Sequence, residues 1–230
     1  MPRHHRQAPR SGNGDAVPQL ALSHGQVIWL LTELGLRRGV SKSTFNHYVK
    51  SLRRLGIPFA PRKGTSERGP EVTYNFEDLM ELTLALLLRV YGTLPDVVTN
   101  GLRSFREDLR PIYRRAYLDS LKRVYPVARV STPNGERLSV QGLFLDLNIR
   151  YSAGQAIQFG PPRALSPFEA MSVFAHTEIA ARSYLPLNIT AVAEIIAERT
   201  RLTPTIPRGF YARRRVASAQ SDLALPYTPP

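Results

Sequence analysis

Val27, Ile28, Leu30, Leu31 and Leu34 recur at helical spacing and predict a short first helix. Gly39 then gives a turn, and Ser41 is a favourable N-cap for a second helix. In that helix Phe45, Tyr48, Val49 and Leu52 follow at steps of 3, 1 and 3 and define one apolar stripe. Lys42, Ser43, Asn46, His47, Lys50, Arg53 and Arg54 lie largely off it. Two short helices about a glycine turn, the second with a polar and basic outer face, form the helix-turn-helix pattern. Such a rigid pair lets the second helix enter the roughly 12 Å major groove, where short polar side chains near its start reach base edges.

Prolines and glycines from Gly56 to Pro70 argue against helix, and a short extended segment, Glu71–Tyr74, follows. This predicts a basic wing carrying Arg62, Lys63 and Arg68. Asn75 is placed to cap a third helix, with Glu77, Asp78 and Glu81 in its first turns and Leu79, Leu82, Leu86 and Val90 on its apolar face. Gly92 ends that helix and Pro95 opens the next. There Val98, Leu102, Phe105, Leu109, Ile112 and Ala116 repeat at steps of 4, 3, 4, 3 and 4, the seam of a coiled coil. A second copy of the chain is the expected occupant of the seam; the C-terminal region of the same chain is the alternative. Pro111 should kink or interrupt this helix near Glu107, whose carbonyl it cannot bond.

Beyond Val127 the period changes. Val127–Ser131 and Arg137–Val140 flank Pro133-Asn134-Gly135 and predict a hairpin, and Leu143 to Tyr151 alternate as one half-buried strand. Asp146 alternates out of that strand, solvated or paired with Arg. Gln155–Phe159 suits a further strand, and Ser166-Pro167-Phe168-Glu169 is a capping box for a helix to about Arg182. A last helix is expected from about Asn188 to Arg201. The predicted fold is mainly α with small β. A disordered basic arm, 1–24, is expected to precede a winged helix-turn-helix over 26–95 and a linking helix over 96–124. A small α+β module follows over 125–205, and then a Pro/Arg-rich tail over 206–230.

Charge sharpens this picture. Lys and Arg total 31 against 18 acids, a net +13. Between Arg37 and Arg68 nine basic residues face one acid, Glu67, so this window holds +8 of that excess. A localised patch rich in Arg points to a polyanion, because guanidinium pairs bidentately with phosphate. No cysteine is present, which removes disulfides, thiol nucleophiles and thiolate metal sites. No zinc-protease spacing, phosphate-binding glycine loop or serine elbow occurs, so neither an enzyme, a cofactor nor a metal is expected. His176 and Glu178, two apart on a predicted helix, point away from each other and cannot chelate one ion. No apolar run reaches the roughly 18 to 20 residues of a membrane span, and a cytoplasmic protein is expected.

Residues 26–109 resemble the DNA-binding domain of the MerR family of bacterial transcription regulators. The resemblance rests on Gly39-Val40-Ser41 at the turn, Thr44-Phe45 with Tyr48 in the second helix, and Gly56-Ile57 entering the wing. Pro61-Arg62, Tyr74, Phe76-Glu77-Asp78-Leu79 with Leu82, and Tyr91-Gly92 continue it. It implies a homodimer on a palindromic promoter element in the nucleoid, with promoter distortion serving RNA polymerase. It also implies an effector-sensing C-terminal part, for which no effector is identified; a dimerisation or protein-contact module without ligand is the other reading of that region. Two positions differ from the family pattern: Asn46 stands where an Arg is usual, and Val72 replaces the Arg before the last tyrosine of the wing. Phosphate contacts are therefore expected from Arg53, Arg54, Arg62, Lys63 and Arg68, with Lys50 as a further anchor. Asn46 is a candidate bidentate reader of adenine, and Ser41, Lys42, Ser43 and His47 complete the DNA-facing set. An architectural or segregation protein that coats or bends DNA is the alternative function.

Overall fold

The computed structural model describes residues 20–37, 39–59, 73–90, 95–131, 135, 137–150, 158–176 and 186–205. Seven helices and a few small antiparallel sheets make the described part mostly helical, with small β.

Local capping sets where the helices begin. In α1 (His24–Glu33) the Ser23 hydroxyl accepts from the Gln26 backbone, and the Gln26 amide oxygen accepts in return from the Ser23 N–H. Leu22 pairs with Tyr74 as an isolated antiparallel bridge, and Leu20 packs on the core. Residues 20–24 are thus structured, and a basic arm reaching to 24 is corrected. The turn after α1 takes Gly35 and Gly39 through positive φ, 76° and 71°, a region that favours glycine. α2 (Lys42–Arg54) begins at Ser41, whose Oγ accepts from the Thr44 N–H at 3.1 Å. In α3 (Phe76–Val90) Asn75 and Asp78 each accept from the other's backbone N–H at 2.9 Å.

The long fourth helix is interrupted, two residues before the expected place. α4 (Pro95–Ser104) and α5 (Arg106–Lys122) meet at Phe105, and α5 then runs through Pro111. Breaking the chain at Phe105 puts the proline in the second turn of a new helix, so few intrahelical bonds precede it. Gly101 in α4 is required by packing: a Cβ there would sit 2.4 Å from the Phe159 ring.

β1 (Val127–Ser131) and β2 (Arg137–Gln141) form the predicted hairpin, pairing Val127 with Gln141 and Ser131 with Arg137. The single strand expected over 143–151 is instead two, β3 (Phe144–Asp146) and β4 (Ile149–Arg150), separated at Asn148 with φ 45°. β4 pairs with β5 (Gln158–Phe159), while β3 lies between β6 (Arg163–Leu165) and β7 (Leu187–Asn188). Asp146 is buried and ion-paired with Arg163 at 2.5 Å, so pairing and not solvation satisfies it. α6 (Pro167–His176) starts on the Ser166–Glu169 capping box. α7 (Ile189–Arg201) is capped by Asn188, which accepts from the Ala191 N–H at 3.0 Å.

α7 packs mainly along α5 and also touches α1 and α3. One apolar cluster accordingly runs from Leu22 through Leu82, Leu102 and Tyr113 to Ile196. The boundary expected near 125 therefore does not separate two cores. The C-terminal segment completes the core of the N-terminal one.

Candidate nucleic-acid interface

α2 divides into two sides. Phe45, Val49 and Leu52 are buried and fix the helix on the core, while Ser41, Lys42, Ser43, His47, Lys50 and Arg54 are exposed. Ser43, His47, Lys50 and Arg54 follow at steps of 4, 3 and 4 and form one outward stripe. Asn46 and Arg53 flank it, half-buried. The helix carries four cations, Lys42, Lys50, Arg53 and Arg54, and no carboxylate. Arg53 and Arg54 lie in the last turn, where the helix dipole favours positive charge.

Not all of these groups are equally available. The Ser41 Oγ, besides capping, lies 2.9 Å from Ser43 Oγ and 2.8 Å from Thr44 Oγ1. The Arg53 guanidinium lies 5.8 Å from the centre of the Tyr74 ring. Tyr48 turns its ring to Arg89, whose guanidinium lies 3.4 Å from the ring centre. Lys50 and Arg54 are the exposed pair on the stripe.

The carboxyl end of α2 is clamped from α5. Arg106 Nη2 donates to the Gly56 carbonyl at 2.6 Å, and its Nε donates to both Glu81 carboxylate oxygens at 3.0 Å. Burial raises the Glu81 carboxyl above its ordinary value, and the Arg106 bond and charge oppose that rise.

His24 joins three segments at the flank of α2. Its Nε2 lies 3.1 Å from Asn46 Oδ1 and its Nδ1 lies 3.3 Å from the Tyr74 hydroxyl. Burial lowers the proton affinity of the imidazole; the Asn46 bond opposes this, and the Arg53 and Lys50 charges add to it. Tyr74, fully buried, has its hydroxyl pushed up to about 12, again chiefly by burial. The bidentate adenine contact expected of Asn46 needs its carbonyl oxygen free, and that oxygen is already engaged by His24. Sequence reading missed His24 because its partners stand 22 and 50 residues away. The Ser23-x-x-Gln26 box was the available signal, since it places His24 at the first helical position.

Arg62, Lys63 and Arg68, with the wing they were expected to form, lie outside the described residues. The seam assigned to a second copy is corrected. Val98, Leu102, Leu109 and Ala116 are buried in the chain's own core, and Phe105 and Ile112 pack partly against it. An intrachain partner spaced one helix diameter away demands the same 3-4 repeat as a coiled coil.

Among the described residues no group of three His, Asp or Glu side chains could hold a metal ion. Nor is any described helix long and apolar enough to cross a membrane. No protein-family model and no curated protein matches the chain.

Proposed function

We propose that this chain is a duplex-DNA-binding transcription regulator of the winged helix-turn-helix kind, resembling the MerR family. In this reading α1, the glycine turn and α2 form the helix-turn-helix, and α2 lies in the major groove. Lys50 and Arg54 meet phosphates on the outward stripe, while Ser43, Asn46 and His47 face base edges. The protein then acts in the bacterial nucleoid without catalysis.

One observation carries the reading: a helix with three apolar residues sunk in the core turns an opposite face of cations and short polar groups, with no acid, to solvent. A solvated face usually mixes charge signs; this one does not. The Arg106 clamp adds to it, because a reading helix must be held rigid if its side chains are to keep register with base edges. A palindromic element requires two copies, and their contact has to come from outside the 98–116 seam.

Selection of binding sites from random duplex DNA by the purified full-length chain tests this. The expected result is one enriched motif, flattened at one base position when Asn46 is altered and kept, but bound more weakly, when Lys50 is altered. Recovery of unenriched sequence at low salt would refute it.

A further inference from the structure

The His24 junction has a chemistry of its own. Its imidazole faces a carboxamide on one side and a buried phenol on the other, at 3.1 and 3.3 Å. A neutral imidazole carries one N–H, so one of these contacts is donated by the ring and the other accepted. Burial together with the nearby Arg53 and Lys50 charges favours that neutral form. Suppose first that Nδ1 carried the proton. It would then donate to the Tyr74 oxygen, and the phenol's own proton, fully buried, would have no acceptor among the described residues. With the proton on Nε2 every group is satisfied: Tyr74 O–H donates to Nδ1, and Nε2–H donates to Asn46 Oδ1.

We propose that His24 is a positioning residue that holds the Asn46 carboxamide with its oxygen turned inward and its amine turned outward, so that this chain reads guanine in preference to adenine at the base Asn46 meets. This rests on the proposed DNA-binding function. The amine has two hydrogens and no acceptor to offer. Guanine presents two acceptors in the major groove, N7 and O6, whereas adenine presents one acceptor beside a donor. A free asparagine pairs with adenine through both of its atoms; a tethered one has lost the acceptor half of that pair. His24 touches no base in this scheme and acts only through Asn46.

Site selection on random duplex DNA with four full-length proteins tests the proposal. Asn46→Ala identifies the base position that depends on Asn46, by flattening it alone. At that position the unaltered chain is expected to prefer guanine over adenine by about 5- to 150-fold, the range of one good base contact. His24→Phe removes the donor while keeping a ring. It is expected to lower the guanine-to-adenine ratio there by at least about 5-fold, leaving the other positions unchanged, which general loosening of the fold would not do. Asn46→Asp keeps the shape, still accepts from His24, and turns a second oxygen outward; its preference is expected to move to cytosine, whose N4 donates. This variant decides the matter if His24→Phe fails to fold.

A preference for adenine in the unaltered chain, an unchanged ratio in folded His24→Phe, or guanine retained by Asn46→Asp would each overturn the inference while leaving DNA binding intact. So would the absence of any position that Asn46→Ala flattens. An unaltered chain that enriches no motif would instead overturn the proposed function, and the inference with it.

Discussion

Replacing Arg106 by Met keeps an unbranched aliphatic side chain at the start of α5 but removes the guanidinium. Glu81 then loses a donor set at 3.0, 3.0 and 2.5 Å, and the Gly56 carbonyl loses one at 2.6 Å. The side chains are 15% and 4% exposed, so solvent does little to compensate. Breaking a buried pair of this kind costs about 3–5 kcal/mol, because the surviving charge stays buried without its partner. With a urea m-value of about 2 kcal/mol/M, the midpoint is expected to fall by about 1.5–2.5 M. The loss should depend on pH. Glu81 already sits above its ordinary value, and without Arg106 it rises further. The raised carboxyl favours folding below the unfolded value of 4.5 and withdraws that support as pH climbs through the folded one. The Arg106→Met deficit should therefore shrink on acidification. Adding Glu81→Gln should recover much of the neutral-pH loss, since the uncompensated charge is then gone. Urea titrations followed by circular dichroism at several pH values measure all three. A neutral-pH loss under about 1 kcal/mol, the range of surface pairs, would mean that the Arg106–Glu81 pair behaves as an exposed one.

Two further outcomes follow from burial. Leu102, fully buried where a partner helix was expected, should lose about 2–5 kcal/mol on Leu102→Ala, the same loss at every protein concentration. A loss confined to concentrations at which two copies associate would return the seam to a second copy. His24 is lowered from 6.5, so the unfolded chain binds more protons just below that value. The stability His24 contributes is then present above 6.5 and lost as pH falls toward the folded value. His24→Gln should flatten the stability-versus-pH curve in that window, and an unchanged slope there would remove His24 as its source.

What the sequence disclosed was local. Ser41, Asn75, and Ser166 with Glu169 all cap helices where their spacing indicated, because a cap is settled within four residues. The apolar stripe of α2 was equally legible, since Phe45, Val49 and Leu52 answer to one helical period. The occupant of the 98–116 seam was not. Period states that a face is covered and says nothing of which chain covers it. The strand over 143–151 failed for a related reason: alternation was real at Leu143, Leu145, Leu147 and Ile149, but β3 and β4 take partners from different later segments. The candidate interface was half visible. Its cations could be counted along α2, whereas the His24 junction depends on the fold bringing residues 24, 46 and 74 together.

In the proposed function the outward stripe of α2 binds a duplex backbone. Fluorescence anisotropy of a labelled duplex, titrated with the full-length chain over a series of salt concentrations, tests it most directly. Each phosphate neutralised contributes about −0.9 to the slope of log K against log salt, so Lys50→Ala with Arg54→Ala should make the slope shallower by about 2 for each copy bound and weaken binding to all sequences alike. Binding no stronger than that of an uncharged control at low salt, or a slope untouched by the double substitution, would contradict it.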